Sequence, residues 1–235
     1  MVGDVAFLTE RPIAHRGLHN AKEGRPENTL AAAEAALDAN YAIECDVRLS
    51  GDEKVMVFHD KGLDRLTGQS GQFADLSKDR LQELKVLGSN EGVASLARLL
   101  SLINGRMPLV IELKSDGEGA DRLAPAIVEV LRNAPGNIAL MSFSHDQLRQ
   151  LRQLLPDRPT GLVATGQTTQ DLARHCQMID AVDFVSFNVD ELDNPFCAEV
   201  RERNLPLVCW TVRSADQARR AYRYCDQITF EGFRP

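Results

Sequence analysis

The chain has 235 residues, 43% of them hydrophobic, and a formal net charge of −7 from 27 basic and 34 acidic residues. A chain of this length can form one large domain that buries roughly 70–75% of its unfolded surface, so it needs no disulfide bond to fold. The acidic balance, without a basic stripe, argues against nucleic acid as the main partner. A phosphate ligand would therefore need a metal or individual Arg and Lys residues to hold it.

The cysteines do not form a metal-binding or disulfide framework. Their number, five, is odd, and no two have the spacing of paired metal ligands. We therefore expect reduced thiols and a cytoplasmic protein. Residues 1–11 lack a basic segment followed by a long apolar core, so neither a signal peptide nor stable membrane insertion is expected. The oligomeric state stays open.

The first half of the chain begins a pattern of alternating strands and helices. Residues 12–14 form a short predicted strand that leads to His15, and an Ala-rich helix is predicted over 29–40. A second strand follows at 42–49, and residues 54–58 are predicted to extend it as a hairpin that ends at His59. Residues 60–92 contain five glycines and a short helical pattern at 78–87, which predicts a small insertion after the second strand.

The second half alternates more plainly. Predicted strands lie at 108–113, 138–143, 161–164, 184–187, 207–212 and 227–230. Predicted helices cover 94–103, 120–133 and 169–175, and further helices begin at Ser144, Asn194 and Ser214. Ser144 and Ser214 each precede a Gln by three residues, as in a capping box, and Pro195 suits a first helical turn. Eight parallel strands in one domain, residues 1–235, favour a closed (β/α)8 TIM barrel over an open doubly wound sheet.

Acidic side chains recur on two of the predicted strands. Glu44 and Asp46 are two residues apart, so both point to one face, where two carboxylates repel each other unless a cation neutralises them. Glu112 and Lys114 repeat the spacing on the next strand of the barrel. Taken alone, the first motif could be a solvated pair with Arg48, and the second could be a structural ion pair between Glu112 and Lys114. Three carboxylates together suit Mg²⁺ or Ca²⁺ rather than zinc.

Two histidines follow apolar runs at predicted strand ends. His15 is next to Arg16, so one side chain could move a proton while the other holds a phosphate. His59 follows the run 55–58 and precedes Asp60; alone it would more often be structural, but with His15 it becomes a second proton-transfer candidate. His19 is retained as a weaker candidate. His145 lies in a predicted helix start, and His175 ends a predicted helix, where a cation suits the helix dipole.

Two aromatic residues lie at the ends of predicted strands. Trp210 is the only tryptophan and Phe143 ends the fourth strand. Core packing would explain either residue, and a substrate-facing wall would also explain Trp210. All these candidates fall near the C-terminal ends of strands, which is the face where (β/α)8 enzymes carry their sites.

Together these motifs resemble the glycerophosphodiester phosphodiesterase family, soluble bacterial type, from about residue 12 to the C-terminus. The motifs are His15-Arg-Gly17, Pro26-Glu-Asn-Thr29, Glu44-x-Asp46-Val47, His59-Asp60, Leu63-x-Arg65-x-Thr67, Glu112-x-Lys114, Ser142-Phe143 and Trp210-Thr-Val212. The resemblance implies a hydrolase that converts glycerophosphodiesters to sn-glycerol 3-phosphate and an alcohol with a divalent cation, Mg²⁺ or Ca²⁺. The insertion at 60–92 lies where this family carries one.

The resemblance also implies roles for individual residues. The metal ligands would be Glu44, Asp46 and Glu112, and the general acid and base would be His15 and His59, in either order. The phosphate would be bound by Arg16 and Lys114, and the glycerol end shaped by Trp210 and Phe143. Supporting roles would fall to Glu27 and Asp60.

The sequence departs from the family pattern at two places. Arg213 follows Trp-Thr-Val where the family often has Asn, and the last strand ends Thr229-Phe-Glu-Gly232 where the family often has Thr-Asp or Thr-Asn before Pro. Glu231 is a candidate to replace that acid. Both places are expected to frame the substrate end, so the departures bear on the leaving group rather than on the metal or the histidines.

Three alternative functions are weighed against this one. A lysophospholipase D shares the motifs but needs an exposed apolar mouth, for which the insertion offers Phe73, Leu76 and Leu81. A non-catalytic glycerophosphate-binding protein would not need the complete set of histidines and carboxylates. A phosphoinositide-type phospholipase C would share the barrel but not this motif pattern. Small glycerophosphodiesters are thus the expected substrates.

Overall fold

Eight parallel strands form a ring in the computed structural model, which describes residues 5–235. The ring strands are β1 (Ile13–Ala14), β2 (Ala42–Leu49), β4 (Leu109–Leu113), β5 (Ile138–Ser142), β6 (Thr160–Ala164), β7 (Phe184–Asn188), β8 (Leu207–Val212) and β9 (Gln227–Phe230). β3 (Val55–Val57) pairs antiparallel with the end of β2. The ring closes because β1 pairs in parallel with both β2 and β9. The predicted (β/α)8 barrel is confirmed; residues 1–4 of the N-terminal stretch lie outside the described residues.

Nine helices surround the ring or lie in the segment after β3 within residues 5–235. They are α1 (Leu30–Asp38), α2 (Asp64–Thr67), α3 (Lys78–Glu83), α4 (Leu96–Ile103), α5 (Ala120–Leu131), α6 (His145–Leu154), α7 (Thr169–Cys176), α8 (Pro195–Glu202) and α9 (Ala215–Ala221). Over these residues, no helix has both the length and the apolar character that a membrane span requires.

The predicted helix at 78–87 is too long. α3 ends at Glu83 because Leu84 is extended, and a separate 3-10 turn follows at Val86–Gly88, where Leu87 has a left-handed φ of 48°. Composition favours a helix throughout this stretch, but the Val86 backbone N–H donates to the Glu91 carbonyl at 2.9 Å, and Lys85 forms an antiparallel bridge with Gly92. These contacts with a later segment break the helix.

Side-chain caps begin most of the helices, as expected, but not always as predicted. Ser144 Oγ accepts from the Gln147 backbone N–H. The reciprocal bond of a capping box is not made, because the Ser144 backbone N–H donates to Ser142 Oγ at 3.0 Å and Gln147 Oε1 accepts from the same hydroxyl at 2.6 Å. Thr168 and Asp171 form the complete capping box at the start of α7. Pro195 occupies the first turn of α8, as predicted.

The segment after β3 has a small apolar core of its own. Phe58 and Phe73 stack with ring centroids 4.7 Å apart, and Leu66 of α2 and Leu81 of α3 are fully buried beside them. This core fixes α2 against the barrel. Phe73 and Leu81 therefore do not form the exposed apolar mouth that an acyl chain would need.

The inside of the barrel is apolar at one end and charged at the other. Side chains two residues apart share a face of a strand, so Ala42 lines the same interior as Glu44 and Asp46. The apolar end is closed by Phe7 and Leu8 of the turn Ala6–Leu8, which pack on the interior side chains Ile13, Ala42, Val110, Phe184 and Val208. Charged groups are thereby confined to the C-terminal ends of the strands.

Candidate active site

Neighbouring strands place three carboxylates side by side at the charged end. Asp46 of β2 is directly opposite Glu112 of β4, and Glu44 lies two residues earlier on β2. All three side chains are buried, and one oxygen from each lies within 4.8 Å of the others. The spacing predicted Glu44 and Asp46 to share a face, and the parallel register brings Glu112 to them.

The electrostatics of this group favour a bound cation. Burial, together with repulsion from Asp46 and Glu112, raises the pKa of Glu44 well above its ordinary value. Burial also raises the pKa of Glu112. Glu44 Oε1 is buried without a hydrogen-bond partner among residues 5–235. A set of carboxylate oxygens with one unpaired atom fits a hard divalent cation such as Mg²⁺ or Ca²⁺.

Lys114 lies against two of these carboxylates. Its Nζ is 2.6 Å from Glu112 Oε1 and 3.2 Å from Asp46 Oδ1. Burial acts to raise the pKa of Asp46, but the charges of Lys114 and Arg16 outweigh it, so the net pKa is lowered. Asp46 is therefore the carboxylate of the group that stays ionised most readily.

The loop after β1 turns back over the carboxylates. Arg16 has a left-handed φ of 56°, and its backbone N–H donates to Glu44 Oε2 at 2.9 Å. Its guanidinium donates to Glu27 Oε1 at 2.6 Å and lies 3.2 Å from Asp46 Oδ2. Asn28 donates its side-chain amide to Asp46 at 2.8 Å. Asn28 was not among the predicted site residues, although its place in the Pro26-Glu-Asn-Thr29 motif could have indicated it.

His15 is held by Glu231, which reaches it across the β1–β9 seam. His15 Nδ1 is 2.6 Å from Glu231 Oε2, and Nε2 lies 3.9 Å from Glu44. Arg213 donates to the other Glu231 oxygen at 2.8 Å. Glu231 and Arg213 are the two places where the sequence departs from the family pattern. The expectation that they concern only the substrate end is wrong, because Glu231 contacts His15 directly and Arg213 holds Glu231. His19 Nε2 lies 3.5 Å from the same Glu231 oxygen that His15 contacts.

His59 is held in the same manner by its neighbour. Its Nδ1 is 2.6 Å from Asp60 Oδ1, and Arg65 of α2 bonds both oxygens of Asp60. Burial lowers the pKa of His59. Burial acts to raise the pKa of Asp60, but the bonds from Arg65 and His59 bring it to about 2. Arg65 was assigned no role from the sequence, although it lies in the Leu63-x-Arg65-x-Thr67 motif.

Arg48 does not neutralise the paired carboxylates of β2. Its Nε donates to the His59 carbonyl at 2.8 Å, and its Nη2 bonds Asp116 at 2.7 Å. The interpretation of Glu44 and Asp46 as a solvated pair with Arg48 is therefore wrong. Arg48 instead fixes the backbone that carries His59.

Aromatic side chains border the charged group. Phe143 and Trp210 meet edge to face with ring centroids 5.7 Å apart, and the Trp210 indole donates to the Ser186 carbonyl at 3.1 Å. Phe143 also lines a cavity of about 510 Å³ that contains His59, Lys114 and Glu112. His145 and His175 line a separate, neighbouring cavity. The structure thus brings all the predicted site residues to one face of the barrel.

The sequence model of the glycerophosphoryl diester phosphodiesterase family matches residues 15–227. The chain belongs to this family. It is accordingly a phosphodiesterase, and the predicted resemblance is confirmed.

Relatives in the family extend over much of the chain. The Bacillus subtilis protein YhdW, provisionally named a glycerophosphodiester phosphodiesterase, is 27% identical over 88% of this chain and 87% of its own. The glycerophosphodiester phosphodiesterase of Caldanaerobacter subterraneus is 30% identical over 64% of this chain and 65% of its own. A phosphodiesterase from Oleispira antarctica, solved in complex with the product sn-glycerol-3-phosphate, has the same fold with a TM-score of 0.83 at 24% identity, covering 95% of this chain and 93% of that one.

Proposed function

We propose that the chain hydrolyses glycerophosphodiesters to sn-glycerol 3-phosphate and an alcohol, with a divalent cation as cofactor. One observation carries the proposal: three buried carboxylates share a site with two histidines, and each histidine has Nδ1 2.6 Å from a further carboxylate. The activity named for the Caldanaerobacter relative and the product bound by the Oleispira neighbour support the choice of substrate.

The cation would be held by Glu44, Asp46 and Glu112. Their donor atoms are all carboxylate oxygens, which suits Mg²⁺ or Ca²⁺. When bound, the cation neutralises negative charge on the phosphate and so stabilises the transition state.

Two basic side chains would bind the phosphate. Arg16 and Lys114 both lie within 3.2 Å of Asp46, at the edge of the carboxylate group. Glu27 accepts a hydrogen bond from the Arg16 guanidinium, which is therefore held in one orientation before the substrate binds. Preorganised positive charge of this kind lowers the barrier without reorganisation during the reaction.

The two histidines would carry the protons. Asp60 and Glu231 each accept from Nδ1 of one ring, which leaves Nε2 free to accept or donate a proton at the substrate. One ring takes the proton of the nucleophile and the other protonates the departing alkoxide. Each such transfer typically contributes ~10²–10⁴-fold. The arrangement serves attack by water or by the adjacent glycerol hydroxyl, and either histidine can fill either role.

Trp210 and Phe143 would form the wall beside the glycerol. Their edge-to-face pair borders the charged group, and the adjoining cavity of about 510 Å³ suits a small diester. Phe73 and Leu81 are buried in the segment after β3, so nothing in the described residues specifically favours a lysolipid substrate.

Enzyme-coupled detection of sn-glycerol 3-phosphate tests the proposal. Chelator-treated protein would be given glycerophosphocholine, glycerophosphoethanolamine and glycerophosphoglycerol, each with and without Mg²⁺ or Ca²⁺. We expect turnover only with the cation, and a loss of at least ~10²-fold in kcat for His15→Ala. Glu112→Gln should weaken activation by the cation. The control Glu129→Gln, on the exposed side of α5, should stay within about twofold of wild type.

Two results would contradict the proposal. Turnover that survives complete chelation would remove the role of the carboxylates as metal ligands. No turnover of any of these three glycerophosphodiesters by folded, cation-loaded protein would contradict the proposed substrate class.

A further inference from the structure

Arg65 lies between two carboxylates that serve different parts of the site. Its Nη1 and Nη2 donate to the two oxygens of Glu27 at 2.7 and 2.8 Å. Its Nε and Nη2 donate to the two oxygens of Asp60 at 2.6 and 2.8 Å. We infer that Arg65 is a positioning residue that fixes His59 and Arg16 in one shared geometry, an inference that rests on the proposed function.

The first arm of this arrangement leads to His59. Asp60 Oδ1 accepts from both Arg65 and His59 Nδ1. An ionised carboxylate accepts hydrogen bonds only, so Nδ1 must carry the proton and Nε2 must be the free nitrogen. Arg65 bonds both oxygens of Asp60 and so prevents this carboxylate from rotating. The His59 imidazole, which bonds the same carboxylate, is thereby held in one orientation.

The second arm leads to Arg16. Glu27 Oε1 accepts from Arg16 at 2.6 Å and from Arg65 at 2.8 Å. Glu27 is 12% exposed and Arg16 is 16% exposed, so this part of the network is shielded from water. A shift of Arg65 would therefore move the phosphate-binding group and the proton-transfer group together.

The fold delivers Arg65 rigidly although its side chain is 48% exposed. Leu66, the next residue, is fully buried in the core of the segment after β3, and Gly68 caps the C-terminal end of α2 in a left-handed conformation. Four hydrogen bonds then fix a planar guanidinium whose fork matches two carboxylates at once. A lysine ammonium is a single point of charge and cannot make that match.

The test compares Arg65→Ala and Arg65→Lys with Arg80→Ala. Arg80 is an exposed arginine of α3 that pairs with Glu83, so it is a matched control from the same segment. We expect Arg65→Ala to lower kcat/KM about 10²-fold, because misplacement of reacting groups by ~1 Å has that effect. The loss should divide between a lower kcat, through His59, and a higher KM, through Arg16. Arg65→Lys should recover little, and Arg80→Ala should match wild type.

A cycle of variants tests whether one residue couples the two arms. The effects of Asp60→Asn and Glu27→Gln on kcat/KM should be non-additive in the wild-type background, because Arg65 bonds both carboxylates and so links them. In the Arg65→Ala background the same two changes should become additive. Additivity in both backgrounds would mean that the two carboxylates act independently and would overturn the inference.

A spectroscopic measurement separates this inference from the proposed function. In histidine-ring ¹H–¹⁵N spectra, wild-type His59 should be the Nδ1–H tautomer, and Arg65→Ala should give a mixture of tautomers. This readout needs no turnover, so it remains valid if the wild-type protein hydrolyses none of the diesters. An unchanged His59 spectrum, or kcat/KM of Arg65→Ala within about twofold of wild type, would overturn the positioning role.

Discussion

The two histidines share one local arrangement although they come from different parts of the barrel. In each case Nδ1 lies 2.6 Å from a carboxylate, and an arginine holds that carboxylate in turn. The two sets are His15–Glu231–Arg213 and His59–Asp60–Arg65. A carboxylate on Nδ1 fixes the tautomer and the direction of the ring, which a proton-transfer group requires. The residues that differ from the family pattern, Arg213 and Glu231, thus provide one of these sets.

Glu231→Gln should lower both the pKa of His15 and the activity. Burial lowers the pKa of His15 and the charge of Arg16 adds to this, whereas the Glu231 bond and Asp46 act to raise it. Without the Glu231 charge, the His15 imidazolium is less well stabilised, so the pKa of His15 must fall further below 6.5. An NMR titration of His15 in chelator-treated protein should show a midpoint at lower pH, and kcat/KM should fall ~10–100-fold.

The control for this variant is Glu202→Gln. Glu202 ends α8 on the surface, so its substitution should leave the titration and kcat/KM unchanged. A His15 midpoint that rises in Glu231→Gln would show that the carboxylate does not stabilise the imidazolium.

At the scale of elements, the turn between β1 and α1 depends on close packing of backbone. Gly17 has a φ of 79°, and a Cβ at this position would lie 2.7 Å from the Ala32 carbonyl carbon of α1. The contact sets the path of the chain that carries His15 and Arg16. Thr29 begins α1 by accepting from the Ala32 N–H, which fixes the other side of the contact.

Gly17→Ala should destabilise the protein far more than Gly24→Ala. Both glycines have left-handed φ, 79° and 74°, but a Cβ on Gly24 would meet nothing within 4 Å. Gly24→Ala therefore adds only backbone strain of ~1 kcal/mol, whereas Gly17→Ala also forces two backbone segments apart and should cost ~2–4 kcal/mol. Urea denaturation measures both free energies of unfolding. Equal losses would mean that the close approach at Ala32 relaxes without cost.

At the scale of the whole molecule, the barrel separates its apolar and charged chemistry. Phe7 and Leu8 cover the N-terminal ends of the strands, while the charged group occupies the C-terminal ends. All five cysteines are free, and four of them are buried. Cys209 of β8 and Cys225 have sulfur atoms 3.4 Å apart. Burial raises the pKa of Cys197 to about 12, so this thiol stays protonated near neutral pH.

The thiols should therefore differ sharply in reactivity. An aromatic disulfide reagent at pH 8 should label Cys176 first in the native protein, since this residue alone among the five is partly exposed. Its own pKa is raised, by burial and by Glu199, so this reaction should also be slow. All five should react once the protein is unfolded in denaturant. Rapid labelling of several thiols in the native state would mean that the barrel opens far more readily than its packing implies.

The sequence alone determined the barrel and the main candidates of its site. Alternating strands and helices specify a parallel sheet, and the two-residue period of a strand puts Glu44 and Asp46 on one face whatever the surroundings. The motifs also indicated His15, His59 and Glu112. These features depend on local spacing or on a linear pattern, both of which can be seen in the sequence.

Only the tertiary structure decided which groups meet across the site. Glu231 bonds His15 because the last strand closes the ring against the first, and Arg65 joins Glu27 to Asp60 because a buried leucine fixes α2 over the barrel. Spacing contains no information about such contacts. They depend on side-chain rotamers and on distances between segments far apart in the chain, which packing sets only after the barrel has closed.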